Sequence, residues 1–452
     1  MFGDGWDDAG AVRRRPPGKR GAFLHARLVA LGGHGISVRR LGGDRAGEVR
    51  LTRLLHNPAV TLAEMIETAA AATQARCAGR HVLAIQDTTV IRSEGGGGLY
   101  LHPVIAVDAQ DGALLGVVHA AALVRTAGRR QDRRSRPVDD KESGRWLVGA
   151  AQAAQVCAAA QAITVVADRE SYIYEAFARR PAGVHLLVRA AQDRALDDGA
   201  RLFARLDGLA EDGRTRLRVP AQPGRPARDA VLAIRFADLT LARPKNGPRR
   251  GPDGPLPASV SVTVVDVREV DPQTGERVAG GVHWRLLTTH AVAGLADALT
   301  QVELYRRRWC IEQIFRTMKT KGFDIEALRI GEPEVRFKLV TATLIAAVTI
   351  QQLVHARDGD TAGGPLRPIT DVVDPDDLPL MRAFCAELEG KTARQKNPHP
   401  PGALAYAAWV CARLGGWTGY YGKPGPTVML AGWLTFQAAK RGARLQAKIK
   451  DV

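Results

Sequence analysis

The first half of the chain contains short apolar runs and, between two of them, a stretch with the periodicity of a helix. Val82–Ile85, Ile163–Ala167 and His185–Val188 are short and mostly apolar, which is typical of strands that are buried on both faces of a sheet. The stretch from about Asp140 to Ala162 has the pattern of a helix. A further helix is expected after Ile163–Ala167, and together with His185–Val188 it completes a βαβ unit with a right-handed connection. This part of the sequence therefore predicts an α/β fold.

Two local signals extend this picture. Tyr100–Val107 and Leu114–Val124 flank Asp108–Gly112, a turn sequence that predicts a β-hairpin. Before the first strand, the sequence Thr61-Leu-Ala-Glu64 has the spacing of a capping box, which predicts a helix that runs from there toward Arg76.

The pattern changes between residues 203 and 288. Val231–Phe236, Val260–Val267 and Val282–Leu287 are alternating runs, and the loops between them are rich in Pro, Gly and Arg. They predict a small β-domain inserted into the α/β domain. A long helical region follows from near Ala291 to beyond Lys319, and the remainder is mostly helical.

Charge gives the first indication of function. The chain has 64 Lys and Arg against 47 Asp and Glu, a formal net charge of +17. Such an excess favours a polyanionic partner, and nucleic acid is the commonest one. A GC-rich genome, which encodes Ala and Arg freely, explains the excess as well, so charge alone leaves both explanations open.

Other features argue against several classes of protein. The five cysteines are scattered, without Cys-x-x-Cys pairs or histidines at ligand spacing, which argues against a zinc site or a disulfide framework. The longest apolar stretch, Leu339–Leu353, is shorter than the roughly 18 residues that a membrane helix needs. The N-terminus lacks the layout of a secretion signal. We therefore expect a cytoplasmic protein with no membrane partner.

Two aspartates follow the predicted buried strands. Asp87 comes after the first strand and Asp168 after the second. A carboxylate in such a place is costly to desolvate unless a cation or metal compensates it. Aspartate is also common in ordinary turns at strand ends, so the pair alone fits either interpretation.

A denser set of chemical groups lies between Leu304 and Gly322. If the segment is one helix with about 100° per residue, five side chains fall within a stripe of about 80°: Tyr305, Arg308, Glu312, Arg316 and Lys319. One acid among three bases and a tyrosine suits an anionic ligand together with one metal-binding carboxylate. A salt-bridged surface helix is the alternative.

The spacing Tyr305-x2-Arg308-x3-Glu312-x6-Lys319 resembles the signature of the bacterial cut-and-paste DDE transposases of the IS-four family, the Tn-five-like transposases. Five further segments resemble that family in the same order along nearly the whole chain: Ala84–Thr89, Asp140–Trp146, Ala167–Glu170, Trp284–Thr288 and Ala412–Gly416.

The resemblance implies a ribonuclease-H-like catalytic core interrupted by the inserted β-domain, with helical N-terminal and C-terminal domains. Asp87 would lie on its first strand, Asp168 on its fourth, and Glu312 on a helix beyond the insertion. The expected domains are residues 1–75 for DNA-end recognition, 76–202 and 289–350 for the two parts of the core, 203–288 for the insertion, and 351–452 for dimerisation.

The resemblance also implies the chemistry. Asp87, Asp168 and Glu312 would hold two Mg²⁺ ions, with Mn²⁺ as a substitute, because Mg²⁺ prefers hard oxygen ligands. The residues expected to contact DNA are Tyr305, Arg308, Arg316, Lys319, Arg189 and Trp284. Arg316 stands where the family often has lysine. Trp284 would stack on a flipped base, although without the resemblance a tryptophan in such a strand is usually a core residue.

The implied partners are double-stranded DNA, as transposon inverted-repeat ends and as target, and a second copy of the chain in a homodimeric synaptic complex. The reaction would begin with a nick at the transposon 3′ end, continue through a hairpin and its opening, and end with strand transfer. It would take place in the bacterial cytoplasm, in association with the nucleoid.

Two other functions remain open on the residues. A ribonuclease-H-like nuclease would cut without strand transfer, and a DNA-binding regulator derived from a transposase would not cut at all. The three intact acids argue against the regulator. The arginine-rich run Arg125–Arg136 fits either a contact with the DNA backbone or a solvated loop.

Overall fold

A computed structural model of the chain describes residues 38–42, 44–92, 98–124, 142–219, 226–328, 330, 332–359, 367–420 and 422–450. Three features of the sequence analysis lie outside these residues, wholly or in part. They are the first 37 residues of the expected N-terminal domain, the Arg125–Arg136 run, and the first two residues of the Asp140–Trp146 segment.

The centre of the fold is a mixed sheet. Its strands, in chain order, are β1 (His81–Gln86), β2 (Thr89–Ile91), β3 (Leu99–Asp108), β4 (Leu114–Val124), β5 (Ala162–Ala167) and β6 (Val184–Arg189). β1, β5 and β6 are parallel neighbours, whereas β3 is antiparallel to β1 and forms the expected hairpin with β4. The apolar residues of β1 are fully buried, as their pattern predicts. This α/β arrangement fits a ribonuclease-H-like core.

The segment expected to be an inserted β-domain consists of strands that extend this same sheet. They are β7 (Gly213–Val219), β8 (Arg228–Ala242), β11 (Ser259–Val270) and β12 (His283–Thr288), with β9 (Arg250–Gly251) and β10 (Gly254–Pro255) paired separately. β12 pairs antiparallel with β6, and β11, β8 and β7 follow outward. Pairing through β12 satisfies the open edge of β6. The domain boundaries themselves stay a prediction.

Helices cover the sheet in the first half of the chain: α1 (Val38–Gly42), α2 (Arg45–Leu55), α3 (Leu62–Cys77), α4 (Gly144–Val156), α5 (Tyr174–Ala178) and α6 (Leu202–Asp207). Thr61 caps α3 as predicted, because its side chain accepts a hydrogen bond from the Glu64 N–H at 3.1 Å. The helix expected from about Asp140 is confirmed as α4, which ends several residues earlier than predicted because a turn leads into β5.

The last third of the described chain is mostly helical, as expected. Its helices are α7 (Leu295–Arg306), α8 (Trp309–Lys319), α9 (Pro333–Ala356), α10 (Leu378–Leu388), α11 (Leu404–Leu414) and α12 (Pro426–Lys450). α9 is long and apolar enough to cross a membrane, but 78% of its most apolar window is buried inside the protein. It has the surroundings of a core helix.

The segment expected to be one helix through Tyr305 and Lys319 is two helices. The Arg308 N–H donates to the Tyr305 carbonyl and the Cys310 N–H to the Arg307 carbonyl, both at 3.0 Å, so the backbone tightens to i→i+3 bonds between α7 and α8. The Arg307 guanidinium donates to the carbonyl oxygens of Asp108 and Gln110, which anchors this turn on the β3–β4 hairpin. The expectation of one continuous helix is therefore wrong: Tyr305 belongs to α7 and Glu312 to α8.

Candidate active site

The two strand-end aspartates lie side by side at one edge of the sheet. β1 and β5 are parallel neighbours, and their last registered pair is Gln86 with Ala167. Asp87 and Asp168 therefore leave adjacent strands, which are about 4.8 Å apart in a sheet. The Asp87 carboxylate accepts the Thr88 N–H at 2.7 Å, and the Asp168 carboxylate accepts the Glu170 N–H at 2.9 Å.

Arg308 connects the third acid to this pair. Its Nη1 donates to Asp87 Oδ2 at 3.0 Å, and its Nη2 donates to Glu312 Oε1 at 2.5 Å. The side chains of both Arg308 and Asp87 are only 16% exposed. A single, largely buried guanidinium thus bridges a carboxylate at a strand end and a carboxylate on α8.

The electrostatics of Asp87 show that the three acids share one site. The pKa of Asp87 is raised to about 6, mainly by burial and also by repulsion from Asp168 and Glu312, while Arg308 and the Thr88 N–H oppose the rise. Repulsion from both other carboxylates requires them to be near. The fold therefore brings together Asp87, Asp168 and Glu312, which are far apart in the sequence.

The donor chemistry of this group fits a divalent metal ion. Carboxylate oxygens are the ligands that Mg²⁺ prefers, and a cation would relieve the repulsion around Asp87. Within the described part of the chain, however, no three His, Cys, Asp or Glu side chains converge closely enough to hold an ion together. The Arg308 guanidinium already bridges Asp87 and Glu312.

Four of the six expected DNA-contacting residues lie around Tyr305. The Tyr305 ring is buried, and its centroid is 5.7 Å from that of Trp284. The Arg308 guanidinium carbon lies 5.9 Å from the Tyr305 ring centroid. Arg189, at the end of β6, donates to the His283 carbonyl at 2.8 Å and lowers the pKa of Tyr305 against the larger, opposite effect of burial. Trp284 is half-buried and packs against the core. This position is compatible both with stacking on a flipped base and with an ordinary role in the core.

The other two expected contacts lie farther along α8. The Lys319 Nζ donates to the Val90 carbonyl at 2.7 Å, so it lies beside β2. Arg316 is exposed and stacks over the ring of Trp309, 5.4 Å from its centroid. Trp309, which is 47% exposed, was not among the residues expected to contact DNA. An aromatic residue directly after Arg308 in the signature was the available signal.

Polar residues that were not expected to belong to the site lie behind Asp87. His102 on β3 is fully buried and hydrogen-bonded to Thr88. Burial lowers its pKa to about 3, with a smaller contribution from Arg145. Nothing in the local sequence of β3 marks this histidine, because its partners come from other elements.

One comparison with known proteins bears on this site. Residues 81–349 match the family model described as the transposase DDE domain. The matched segment covers more than half of the 452 residues, begins at the first residue of β1 and ends within α9. It contains all three acids and every residue expected to contact DNA.

Proposed function

The chain belongs to the transposase DDE domain family, and from this premise we propose that it is a cut-and-paste DNA transposase of the IS-four type. Asp87, Asp168 and Glu312 are its catalytic, metal-binding acids. The observation that carries the proposal is their proximity: two carboxylates leave adjacent parallel strands, and Arg308 links one of them to a third on α8.

The three acids would hold two Mg²⁺ ions, with Mn²⁺ as a substitute. Such ions supply activation of the attacking oxygen and stabilisation of the leaving oxygen in an in-line displacement at phosphorus. The chain contributes the fixed position of the acids and a buried, charge-rich surrounding for Asp87. Once displaced from the carboxylates, the Arg308 fork can donate two parallel hydrogen bonds to a phosphate.

The DNA would lie along the acids and α8. Arg189, Tyr305 and Lys319 would hold the backbone near the cut, and Arg316 would extend this surface; the proposal is supported by the position of Lys319 beside β2 and of Arg316 on the same helix. We propose that a nick frees a 3′-hydroxyl, which attacks the opposite strand to form a hairpin. Hairpin opening and transfer into target DNA follow. The active form is a homodimer that brings two transposon ends together in the bacterial cytoplasm, at the nucleoid.

The test is cleavage of a labelled duplex taken from the DNA that flanks the gene for this chain. With Mg²⁺, denaturing gels should show nicked and hairpin products. Asp87→Ala, Asp168→Ala and Glu312→Ala should each abolish cutting while DNA binding stays nearly intact, because basic residues make the phosphate contacts. Glu303→Ala, which removes an exposed acid on α7, is the matched control and should cut like the wild type.

The products also separate the competing functions. A mutant of any of the three acids that cuts within about tenfold of the wild-type rate, about 1.4 kcal/mol of barrier, loses its assignment. Nicks without hairpins or joined products would indicate a nuclease, and binding without any cutting would indicate a regulator.

A further inference from the structure

One arginine joins the two loops that carry the paired aspartates. Arg145, near the start of α4, donates from Nε to Thr88 Oγ1 at 3.1 Å and from Nη2 to Glu170 Oε2 at 2.9 Å. Thr88 directly follows Asp87, and Glu170 lies two residues after Asp168. A single guanidinium therefore holds the segments after β1 and β5 together.

The position of Arg145 is itself fixed. Its side chain is only 10% exposed, its guanidinium carbon lies 5.1 Å from the Trp146 ring centroid, and its Nη1 donates to the Glu142 carbonyl at 2.6 Å. All three nitrogens thus donate to protein acceptors. A planar guanidinium can make these bonds at once because its donors point in fixed directions, whereas a lysine ammonium cannot.

On the Asp87 side, the hydrogen bonds form a chain with one consistent direction. Because Arg145 donates to the Thr88 hydroxyl, that hydroxyl is free to donate to His102 Nδ1, which lies 2.9 Å away. The other ring nitrogen of neutral His102 then donates to Gln86 Oε1 at 3.3 Å, and Gln86 Nε2 donates to the Trp146 carbonyl at 3.3 Å. Every member of the chain has a partner, which is the condition under which a buried network rigidifies its surroundings.

Close packing of α4 supports the same conclusion. A Cβ atom on Gly149 would lie 2.2 Å from Gln86 Oε1, so a side chain there would push the Gln86 amide out of its hydrogen bond with His102. Gln86 and Thr88, the two neighbours of Asp87 in the chain, are both fixed by hydrogen bonds that lead to α4.

We propose that Arg145 is a positioning residue that sets the separation and orientation of Asp87 and Asp168, and with them the geometry offered to the metal ions. Glu170 is its counter-charge on the Asp168 side. This inference rests on the proposed function. It also gives a role to Arg145 in the Asp140–Trp146 segment, which resembles the transposase family but had no role of its own.

The test compares two variants of the arginine with a matched control. Arg145→Ala and Arg145→Lys remove the two-sided contact. Arg76→Ala removes an arginine of similar exposure, 19%, that also donates three hydrogen bonds, to the Asp371 carboxylate, the Asp371 carbonyl and the Leu115 carbonyl. Mn²⁺ binding to the full chain is measured by electron paramagnetic resonance, cleavage is measured on the flanking-DNA duplex, and folding is followed by thermal denaturation.

We expect Arg145→Ala to weaken Mn²⁺ binding and to slow cleavage by about tenfold or more, the usual effect of losing a residue that orients metal ligands. Arg145→Lys should retain part of the activity. Arg76→Ala should lose thermal stability to a similar extent but, below its melting temperature, should bind Mn²⁺ and cut like the wild type. Equal Mn²⁺ affinity in Arg145→Ala and the wild type would overturn the proposal.

Glu170 provides a second pair of variants that folding cannot obscure, because its side chain is 63% exposed. Glu170→Ala should weaken Mn²⁺ binding, and Glu170→Gln, which keeps an acceptor for Arg145, should largely restore it. If neither changes Mn²⁺ affinity, the bridge to Asp168 has no positioning role.

A wild-type protein that binds Mn²⁺ but cuts no DNA would overturn the proposed function, and Mn²⁺ affinity would still decide the role of Arg145. A wild-type protein that binds no Mn²⁺, with or without the duplex, would overturn the positioning role as well.

Discussion

At the scale of single residues, the folded protein disfavours the charged form of Asp87. Its folded pKa of about 6 lies above the ordinary value of 3.8, so burial and the neighbouring acids disfavour its charged form. A carboxyl with a raised pKa stabilises the fold below its ordinary pKa, and that stability is lost as pH rises through about 6. At neutral pH the metal-free protein therefore holds Asp87 charged at a loss of stability.

Replacing this charge should stabilise the protein. We expect Asp87→Asn to raise the free energy of unfolding by about 1–3 kcal/mol at pH 7.5 in the presence of a chelator. The gain should disappear near pH 4, where wild-type Asp87 is itself mostly neutral. Urea denaturation at both pH values measures it. Asp229→Asn, at an exposed ion pair with Arg218, is the control and should change little. A less stable Asp87→Asn protein at pH 7.5 would contradict this account.

Arg308 leads to a second expectation at the same scale. Because its guanidinium bridges Asp87 and Glu312, it should compete with the proposed metal ions for these carboxylates. Arg308→Gln should therefore bind Mn²⁺ more tightly than the wild type at pH 8 without DNA, and should cut DNA more slowly because a phosphate donor is lost. Titration calorimetry and the cleavage assay measure the two effects. Arg306→Gln removes an exposed arginine that pairs with Glu303, and should alter neither. Weaker Mn²⁺ binding by Arg308→Gln would mean that the arginine organises the acids rather than competing for them.

At the scale of secondary-structure elements, the sequence predicts local features better than contacts between elements that are far apart in the chain. The strands that lead to Asp87 and Asp168, the β3–β4 hairpin and the Thr61 cap follow from nearby residues, and all are present. The turn between α7 and α8 does not follow, because it depends on Arg307 reaching carbonyl oxygens of the β3–β4 turn, almost two hundred positions earlier.

The same distinction applies to the sheet and to the site. Alternating residues predict β8, β11 and β12 as strands, but no local pattern says that β12 pairs with β6. Asp87 and Asp168 stand out as strand-end acids, whereas Glu312 was identified by the spacing of its signature. The bridge through Arg145 was not predictable, since its acceptors come from separate loops.

Trp284 on β12 allows a test at this scale. Nicking needs the acids and the phosphate contacts, so Trp284→Ala should retain it. Hairpin closure needs a distorted DNA end, and the loss of about 1–3 kcal/mol of base stacking should slow that step roughly 5- to 150-fold. Trp284→Phe, which keeps an aromatic face, should fall between. A time course on an end-labelled duplex separates nicked from hairpin species.

The control for Trp284 is Trp417→Ala, another half-buried tryptophan packed against the core but placed after α11. It should lower stability without selectively slowing hairpin closure. Hairpin formation at the wild-type rate by Trp284→Ala would exclude the stacking role. Loss of the folded state would leave Trp284 as a core residue that packs against Tyr305.

At the scale of the whole molecule, we expect the net charge of +17 to make DNA binding strongly dependent on salt. Each neutralised phosphate contributes about −0.9 to the slope of log K against log salt, so an interface that uses the basic residues along α8 and the arginine-rich run should give a slope steeper than about −5. Fluorescence anisotropy with a labelled duplex between roughly 50 and 200 mM salt measures the slope. A slope near zero would exclude DNA as the main partner.

A cluster of histidines lies at the opposite end of the parallel strands from Asp87 and Asp168. Where β1, β5 and β6 begin, the Nε2 atoms of His81 and His290 both lie 2.8 Å from Thr164 Oγ1. The His185 ring stacks on that of His290, with centroids 3.9 Å apart. Burial lowers the pKa of His290 to about 4, and repulsion from His185 and His81 contributes to the shift. Burial also lowers the pKa of His81, with a contribution from His185.

The two ends of the parallel strands should therefore respond to acid with opposite signs. A histidine whose folded pKa is lowered stabilises the fold above its ordinary pKa of 6.5, and that stability is lost as pH falls toward about 4. Protonation of Asp87 stabilises the fold over the lower part of that pH range, so Asp87 cannot cause the loss of stability.

The melting temperature of the protein in the presence of a chelator should fall between pH 6.5 and 4.5. His290→Gln should make the fall shallower because one proton-binding site is removed from the unfolded chain. His56→Gln is the control: the Thr52 carbonyl and Glu332 raise the pKa of His56, so its removal should not make the fall shallower. If His290→Gln melts with the same pH dependence as the wild type, the acid response does not come from His290 in this cluster.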